Sequence, residues 1–285
     1  MEKKKALILS LLLSIVVFVL FSCDLPTEQS NGRTGTLTIF LSDAPFPADS
    51  VASATVSIDS IDIRAAGETG NTSFTTIYRD ADNTSEYNLL DLRNGVTATL
   101  AEQEIPEGEY DLVRVFISDA SISLKNGSQY NLKVPSGLHT GLKIFVRPSL
   151  MVRAGMTAQL LIDVDVSKSF VARGNMMSNP SDFNGFIFKP VLRAANLTKA
   201  GKIAGTVADS LGQSFPDVSV WVEQADTAVT STFTNSAGDY ALIGLSEGAY
   251  ALRAVAADFD TMTVDPNVEV VAGEVTTVDF QIPVQ

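Results

Sequence analysis

The stretch Val56–Ile63, which reads VSIDSIDI, decides the fold of the first half of this chain. Its apolar residues alternate with polar ones, apart from one slip of phase at Asp59-Ser60. Alternation with a period of two predicts a strand that buries one face and leaves the other in water. A slip inside such a run predicts a bulge or a tight bend at that point.

Runs of the same kind fill the chain on both sides of this stretch. They lie at residues 36–41, 74–78, 87–92, 110–117, 130–134, 142–146, 159–166 and 185–192. Turn signals separate them, for example Asn94-Gly95 and Asn126-Gly127. No stretch of the sequence carries a helical apolar stripe with caps at both ends. Many short strands with turns at this spacing predict a sandwich or a barrel, and we predict a β-sandwich over residues 35–195.

A second β pattern begins after a polar junction at residues 196–201. Its runs lie at 202–208, 218–224, 229–234, 240–243, 250–256, 268–271 and 275–282. Seven short strands in such a length are typical of a small sandwich, which we place at residues 200–285. The predicted fold class is therefore all-β, with two β-sandwich domains.

The first 22 residues predict a secretory signal peptide. A basic start at Lys3, Lys4 and Lys5 precedes an apolar run that ends at Phe21. The alternative is an uncleaved transmembrane helix, but the run is at or just under the roughly 17 to 25 residues that span a bilayer. No charged flank of the kind that fixes a transmembrane helix follows it, and residues 23–34 are polar, which predicts a flexible tether.

Cys23, the only cysteine, lies where a lipid would be attached. The residues Val19–Cys23 resemble the lipobox of bacterial lipoproteins, in which the cysteine is acylated and becomes the mature N-terminus. This resemblance implies attachment to a membrane through several acyl chains, which hold far more firmly than one. We expect the protein in the bacterial cell envelope, on the outer membrane.

Charge and composition exclude several kinds of function. The chain has a formal net charge of −13, and removal of residues 1–22, with three Lys and one Glu, takes it to −15. Such acidity argues against nucleic acid as a partner. With Cys23 lipidated, neither a thiol nucleophile nor a disulfide remains, and the single histidine, His139, excludes a metal site with two His ligands.

The second domain resembles the carboxypeptidase regulatory-like family, which has a transthyretin-like sandwich fold. The matching stretches lie at residues 205–216, 234–240 and 245–252, where turn glycines separate strands with inward aromatic and aliphatic residues. The resemblance implies an accessory module of a secreted or surface protein. Its broader fold group includes carbohydrate binders, which is an analogy of fold alone.

The first domain resembles a family of bacterial lipoprotein domains of unknown function, the DUF 4382 type. The matching stretches lie at residues 35–45, 105–110, 133–137, 163–165, 168–169 and 188–192. The resemblance implies secretion, lipid anchoring and a β-sandwich. It implies no activity, because the family has none assigned.

Three acidic residues are candidates for ligand or cation binding. Asp43 ends the first strand, where its carboxylate either contacts a ligand or caps backbone N–H groups in a turn. Asp163 and Asp165 alternate with apolar residues, which predicts that they share a solvent face with Ser167. Such a face could hold Ca²⁺ if a neighbouring strand supplied further oxygens, and otherwise it is a hydrated strand surface.

Trp221 is the only tryptophan, and it is a candidate binding residue. The neighbouring valines at 218, 220 and 222 alternate with it, so Trp221 falls on the nominally polar face of its strand. It then serves either as an aromatic platform for a sugar or a partner, or as packing between the two domains or over a neighbouring strand.

No organised catalytic set stands out in the sequence. Lys168 and Ser169 are adjacent, so on a strand they point to opposite faces, and no G-x-S-x-G elbow is present. We therefore predict a non-enzyme without a cofactor, with a binding or structural role toward glycan or an envelope protein. The alternative is a hydrolase of an extracellular polymer that uses carboxylates, which are plentiful but not visibly paired.

Overall fold

The computed structural model describes residues 32–44, 50–70, 73–82, 84–135, 140–174, 183–257, 259–264 and 267–282. The predicted signal peptide, Cys23 and His139 lie outside the described residues. Within them, no helix is long and apolar enough to cross a membrane. Residues 33–285 form one compact unit, in which we distinguish a first module (residues 34–196) and a second module (residues 200–282).

The described residues of the first module form twelve strands, a short helix and a 3-10 turn. The strands are β1 Thr34–Ala44, β2 Val51–Ala65, β3 Phe74–Arg79, β4 Glu86–Asn88, β5 Ala98–Pro106, β6 Gly108–Leu124, β7 Gln129–Leu132, β8 Leu142–Val152, β9 Thr157–Asp165, β10 Phe170–Ala172, β11 Phe186–Phe188 and β12 Leu192–Asn196. The helix α1 spans Val166–Ser169, and the 3-10 turn spans Leu89–Leu92.

Ten of these strands form one sheet, in the order β3-β2-β6-β8-β12-β9-β1-β5, with β4 beside β2 and β7 beside β6. Most neighbours are antiparallel, but β1 pairs with β9 and β8 with β12 in parallel. The two edge strands, β3 and β5, lie against each other, so the sheet coils nearly into a barrel around a single core. Coiling follows from the right-handed twist of strands, and it removes most of the exposed sheet edge.

The slip of phase in β2 is confirmed as an irregularity of pairing. The register of β2 against β6 breaks on both sides of Ile58. Because of this shift, the apolar residues before and after the slip all face the core: Val56, Ile58, Ile61 and Ile63 are each at most 1% exposed. The extra residue adds local twist, which helps a long strand bend around the core.

The second module begins after a 3-10 turn at Leu197–Lys199, and nine strands lie in the part of it that the structure describes. They are β13 Ala200–Asp209, β14 Ser219–Gln224, β15 Thr227–Phe233, β16 Asp239–Ser246, β17 Gly248–Val255, β18 Met262–Thr263, β19 Val268–Val270, β20 Val275–Thr277 and β21 Phe280–Ile282. One layer has β16-β13-β20 with β21, and the other has β15-β14-β17-β18 with β19. In the first layer β13 is antiparallel to β16 but parallel to β20 and β21, whereas all pairs of the second layer are antiparallel. The two layers enclose one apolar core and make the predicted sandwich.

Two buried tyrosines close this small core. The hydroxyl of Tyr240 donates to the carbonyl of Val278 at 2.6 Å, and that of Tyr250 donates to the carbonyl of Ser246 at 2.9 Å. Burial raises the pKa of both phenols above the usual value. Each ring therefore packs in the interior while its polar end is satisfied by backbone. The all-β, two-domain fold class predicted from the sequence is confirmed.

Strand β9 is buried on both faces, and this places the second module. Leu160 and Ile162 point into the core of the first module. Leu161 is completely buried but lies outside that core, where a methyl group on Gly244 of β16 would come within 2.9 Å of it. Because adjacent residues of a strand face opposite ways, the second module covers the outer face of β9.

Candidate functional site

Asp163 of β9 lies in the junction between the modules and is only 5% exposed. The guanidinium of Arg193, directly opposite on β12, donates to Asp163 Oδ2 from Nη2 at 2.7 Å and from Nε at 3.2 Å. Ser42 donates to Oδ1 at 2.9 Å, and Thr230 of the second module donates to Oδ2 at 3.3 Å. The carboxylate therefore has a charged partner and two hydroxyl partners, which a buried charge requires.

Arg193 extends the same network into the second module. Its Nη1 donates to the carbonyl of Gly244 at 2.5 Å, and its Nη2 donates to the carbonyl of Ile243 at 3.3 Å. Charge-assisted hydrogen bonds of this kind are stronger than neutral ones. The ion pair with Asp163 thus holds β16 against β9 and β12.

Asp43, at the end of β1, lies beside this network and is 6% exposed. Its Oδ1 accepts from the backbone N–H of Val166 at 3.3 Å, and its Oδ2 is buried without a hydrogen-bond partner. Burial, and then the negative charge of Asp163, raise the pKa of Asp43 well above its usual value, whereas the Val166 hydrogen bond lowers it. Among the described ion pairs, none involves Asp43.

A small cavity of about 10 Å³ opens between Asp43 and the second module. Three of its side-chain oxygens are buried without a partner: Asp43 Oδ2, Asn94 Oδ1 and Thr232 Oγ1. The amide of Asn94 donates from Nδ2 to the carbonyl of Asp239 at 3.1 Å, which orients its oxygen. Asn94 belongs to a turn of the first module, and Thr232, 1% exposed, belongs to β15.

The structure brings together two of the predicted acidic residues, Asp43 and Asp163, and engages the third locally. Asp165 caps α1, where it accepts from the N–H of Lys168 at 3.0 Å and from the Ser167 hydroxyl at 2.6 Å. The predicted solvent face is wrong for Asp163, because the second module covers that side of β9. The turn that Asp43 is predicted to cap, residues 45–49, lies outside the described residues, so that interpretation stays a prediction. The carboxylate accepts from the N–H of Val166, 123 residues away in sequence.

Trp221 lies on the outer face of the second module, as the alternation predicts. The valines beside it at 218, 220 and 222 are fully buried, whereas Trp221 is half-buried. Its indole N–H donates to Glu223 at 2.9 Å, and Glu223 pairs with Arg253 at 3.0 Å. The indole N–H is therefore already bonded within its own sheet, and whether the ring contacts a ligand stays a prediction.

A polar groove of about 340 Å³ lies on the first module, across β4, β2, β6 and β7. Its side chains carry hydroxyl, amide and carboxylate groups. They are Thr55, Ser57, Glu86, Asp119, Ser121, Gln129 and Asn131. The register aligns them in rows: Glu86, Ser57 and Asp119 form one row, and Thr55, Ser121 and Asn131 form the next.

The sequence alone did not single out this groove or the partners of Asp43 and Asp163. Asn94 was visible only as a turn residue, and Thr232 only as a polar residue within a strand. Among the described residues, no group of three or more His, Cys, Asp or Glu side chains is arranged to hold a metal ion. Any cation at the junction would therefore depend on neutral oxygens as well as carboxylates.

Comparison with solved structures finds only distant likeness. The dioxygenase domain of a dioxygenase–carbohydrate-binding protein fusion from Streptomyces sp. SirexAA-E is 18% identical over 31% of this chain and 82% of its own, with a TM-score of 0.24. The minor pilin GBS52 of Streptococcus agalactiae is 10% identical over 86% and 95%, with a TM-score of 0.24. The shaft pilin SpaA of Lactobacillus rhamnosus GG is 9% identical over 88% and 98%, with a TM-score of 0.27. No curated protein matches the chain.

Two family models match the sequence and together cover both modules. The carboxypeptidase regulatory-like domain matches residues 202–283. The domain of unknown function DUF4382 matches residues 34–190, which is more than half of the chain. Both resemblances noted in the sequence are thereby confirmed at the level of the domains. The chain belongs to the DUF4382 family, and in it a carboxypeptidase regulatory-like domain follows the family domain.

Proposed function

We propose that this chain is a non-catalytic binding protein of the bacterial cell envelope, anchored to the outer membrane through a lipid on Cys23. The polar groove of the first module is the observation that carries the binding role, and glycan is the ligand class that it fits best. The lipobox-like stretch Val19–Cys23 and the polar tether support the anchoring.

The chemistry of the groove favours a ligand rich in hydroxyl groups. Hydroxyl and amide side chains both donate and accept hydrogen bonds, and the carboxylates accept them, so the groove complements sugar hydroxyls. Neither Lys nor Arg is among its lining residues, whereas Glu86 and Asp119 are. Anionic polymers are therefore disfavoured by charge, and neutral saccharides are preferred.

A glycan array probed with the full chain tests this role, with Thr55→Val as the decisive variant. Thr55 bonds to the Ser121 hydroxyl at 2.8 Å within the groove, and valine keeps its shape while removing the hydrogen bonds. We expect a neutral glycan to bind, and Thr55→Val to weaken it by about tenfold. Thr75→Val, at an exposed position of β3 outside the groove, is the matched control. Binding that survives Thr55→Val and Ser121→Ala would place the ligand elsewhere.

Protease treatment of intact cells tests the anchoring separately. A chain with an epitope tag after Gln285 is compared with its Cys23→Ala variant. Loss of the tag from intact cells places the modules on the cell surface, and protection until the outer membrane is permeabilised places them in the periplasm. If the wild-type chain keeps its full uncleaved mass and carries no acyl chain by mass spectrometry, the lipid anchor is wrong. A stoichiometric protein that co-purifies would favour an envelope protein over glycan as the partner.

One pair in the groove also favours a second candidate, a glycoside hydrolase. Glu86 and Asp119 both flank Ser57 in register, so their Cα atoms are two strand spacings, or about 10 Å, apart. Both residues line the same groove, and glycosidases use a pair of carboxyl groups that flank the bond to be cleaved. Release of reducing ends from a polysaccharide, abolished by both Glu86→Gln and Asp119→Asn in folded protein, would establish this activity. Binding without release favours the non-catalytic role.

A further inference from the structure

The outer side of β8 and the turn after it combine exposed apolar side chains with basic ones. On β8, Phe145 is 54% exposed and Met151 is 39% exposed, and in the turn Met156 is 56% exposed. Arg147 and Arg153 are exposed beside them, and the guanidinium carbon of Arg147 lies 5.1 Å from the centre of the Phe145 ring. We call these five residues the β8 patch. Exposed apolar clusters rimmed by polar groups are typical of surfaces that bind proteins or membranes.

The chain around the β8 patch contains no acidic residue, although the protein as a whole is strongly acidic. Residues 120–162 include neither Asp nor Glu, whereas the whole chain has 33 acidic and 20 basic residues. The basic residues of this stretch are Lys125, Lys133, Lys143, Arg147 and Arg153. The acidic side chains at or just before the start of β6 each have a partner: Glu107 with Arg33, Glu109 with Ser149 and Asp111 with Arg64. A basic surface on an acidic chain favours an anionic partner.

The β8 patch lies where the chain enters the first module. The backbone N–H of Thr36 donates to the carbonyl of Met156 at 3.0 Å, so β1 begins against the turn that follows β8. Only ten residues, 24–33, lie between Cys23 and β1, and they reach at most about 40 Å when fully extended. A lipid on Cys23 would therefore hold this end of the module close to a bilayer.

We propose that the β8 patch rests on the bilayer that holds the lipid of Cys23. Phe145, Met151 and Met156 enter its headgroup region, and the two arginines bind lipid phosphates. This inference rests on the proposed lipid anchor and goes beyond it, because it names the face of the protein that meets the membrane. A bilayer is the occupant because it offers anionic groups beside an apolar interior at the point where the tether ends. The polar groove lies toward the other end of β6 and stays open to solution.

Fluorescence quenching of the full lipidated chain in vesicles tests this contact. The vesicles consist of phosphatidylethanolamine and phosphatidylglycerol with a spin-labelled phospholipid as the quencher, and Met156→Cys receives a fluorescent thiol label. The control is Leu211→Cys, at an apolar position of the second module that is 85% exposed. Interfacial side chains lie about 5–10 Å below the surface, so the label at 156 should be quenched at least about twofold more than the label at 211. Replacement of phosphatidylglycerol by phosphatidylcholine should reduce this difference.

Charge reversal tests the two arginines of the patch. Arg147→Glu combined with Arg153→Glu should bring the quenching at 156 down to the level at 211, because the membrane surface then repels the patch. The matched control is Lys125→Glu combined with Lys133→Glu, which makes the same change of net charge. Both lysines are exposed, and they lie beyond the end of β6 and the end of β7, so the control should keep the quenching.

The contact and the lipid anchor fail in different ways. The wild-type chain should take up no thiol label, because Cys23 is its only cysteine and carries the lipid. Label on the wild type, or separation of the chain from the vesicles on flotation, would overturn the anchor and the contact together. Firm association with equal quenching at 156 and 211 would overturn the contact alone. Quenching at 156 that survives the reversal of both arginines would overturn their binding to phosphate.

Discussion

The guanidinium of Arg193 acts on two modules at once. It neutralises Asp163 within its own sheet, and it donates to the carbonyls of Ile243 and Gly244 in the other module. The side chain of Arg193 is 24% exposed and the side chain of Asp163 is 7% exposed. The Asp163 carboxylate is therefore the group that needs the ion pair to compensate for its burial. Removal of one partner from a buried pair costs far more than the pair contributes by itself.

Arg193→Met should therefore destabilise the chain by about 3–5 kcal/mol, because it leaves the Asp163 carboxylate buried without a counter-charge. Urea unfolding measures the change, and the double variant Arg193→Met with Asp163→Asn should recover much of the loss. The control is Arg253→Met, which removes the partner of Glu223 on an outer face and should cost no more than about 1 kcal/mol. Equal losses in the two single variants would contradict the role of Arg193.

At the scale of the element, β13 shows why one motif glycine is required. A methyl group on Gly205 would lie 1.7 Å from the carbonyl oxygen of Val278, and the backbone N–H of Val278 donates to Ala204 at 2.9 Å. The chain following β20 thus runs directly against the backbone of β13. Glycine is needed here for close approach between backbones rather than for an unusual φ.

Gly205→Ala should consequently destabilise the second module far more than Gly212→Ala does. Gly212 has a positive φ of 81° but open space around it, so alanine there meets only backbone strain of about 1 kcal/mol. Gly205→Ala must displace backbone, for which we expect a loss above about 3 kcal/mol. Thermal unfolding compares the stability of the two variants directly. A similar small loss of stability in both would show that β13 and the chain at Val278 separate at little cost.

The elements also show how far the sequence predicts this fold. The alternation of apolar and polar residues predicts β2 and the shift of register within it, because a strand that buries one face repeats with a period of two. The same rule predicted the strand at 159–166, which is β9, but the solvent face that it gave to Asp163 is wrong. Leu160, Leu161 and Asp163 are all buried, because this strand is covered on both faces. The cavity could not be predicted, because Asp43, Asn94 and Thr232 meet only through the docking of two modules.

At the scale of the whole molecule, residues 33–285 form one compact unit although two family domains compose it. The fully buried Leu161 lies at the junction, and hydrogen bonds from Arg193, Asn94 and Thr230 cross it. Interfaces with that much apolar and charged complementarity restrict relative motion of domains. The modules should therefore unfold together.

Leu161→Lys tests this coupling, since it places a charge where Gly244 packs. In the wild-type chain, fluorescence of Trp221, which lies only in the second module, should report the same midpoint as circular dichroism of all strands. In Leu161→Lys the two transitions should separate. The control is Gln159→Lys, an exposed position of the same strand, which should keep them coincident. Two distinct transitions in the wild type would mean that the modules are independent.

Strand β9 packs against both modules, and this constrains how the genes that encode these two domains can recombine. A copy of the first module without its companion would present Leu161 and the Asp163–Arg193 pair to water, as an adhesive patch. Recombination that exchanged the companion would have to preserve the carbonyls of Ile243 and Gly244 and the hydroxyl of Thr230. Relatives that carry the first module alone should therefore have polar residues at the positions of Leu161 and Ala195, and those that keep this pairing should inherit both halves together.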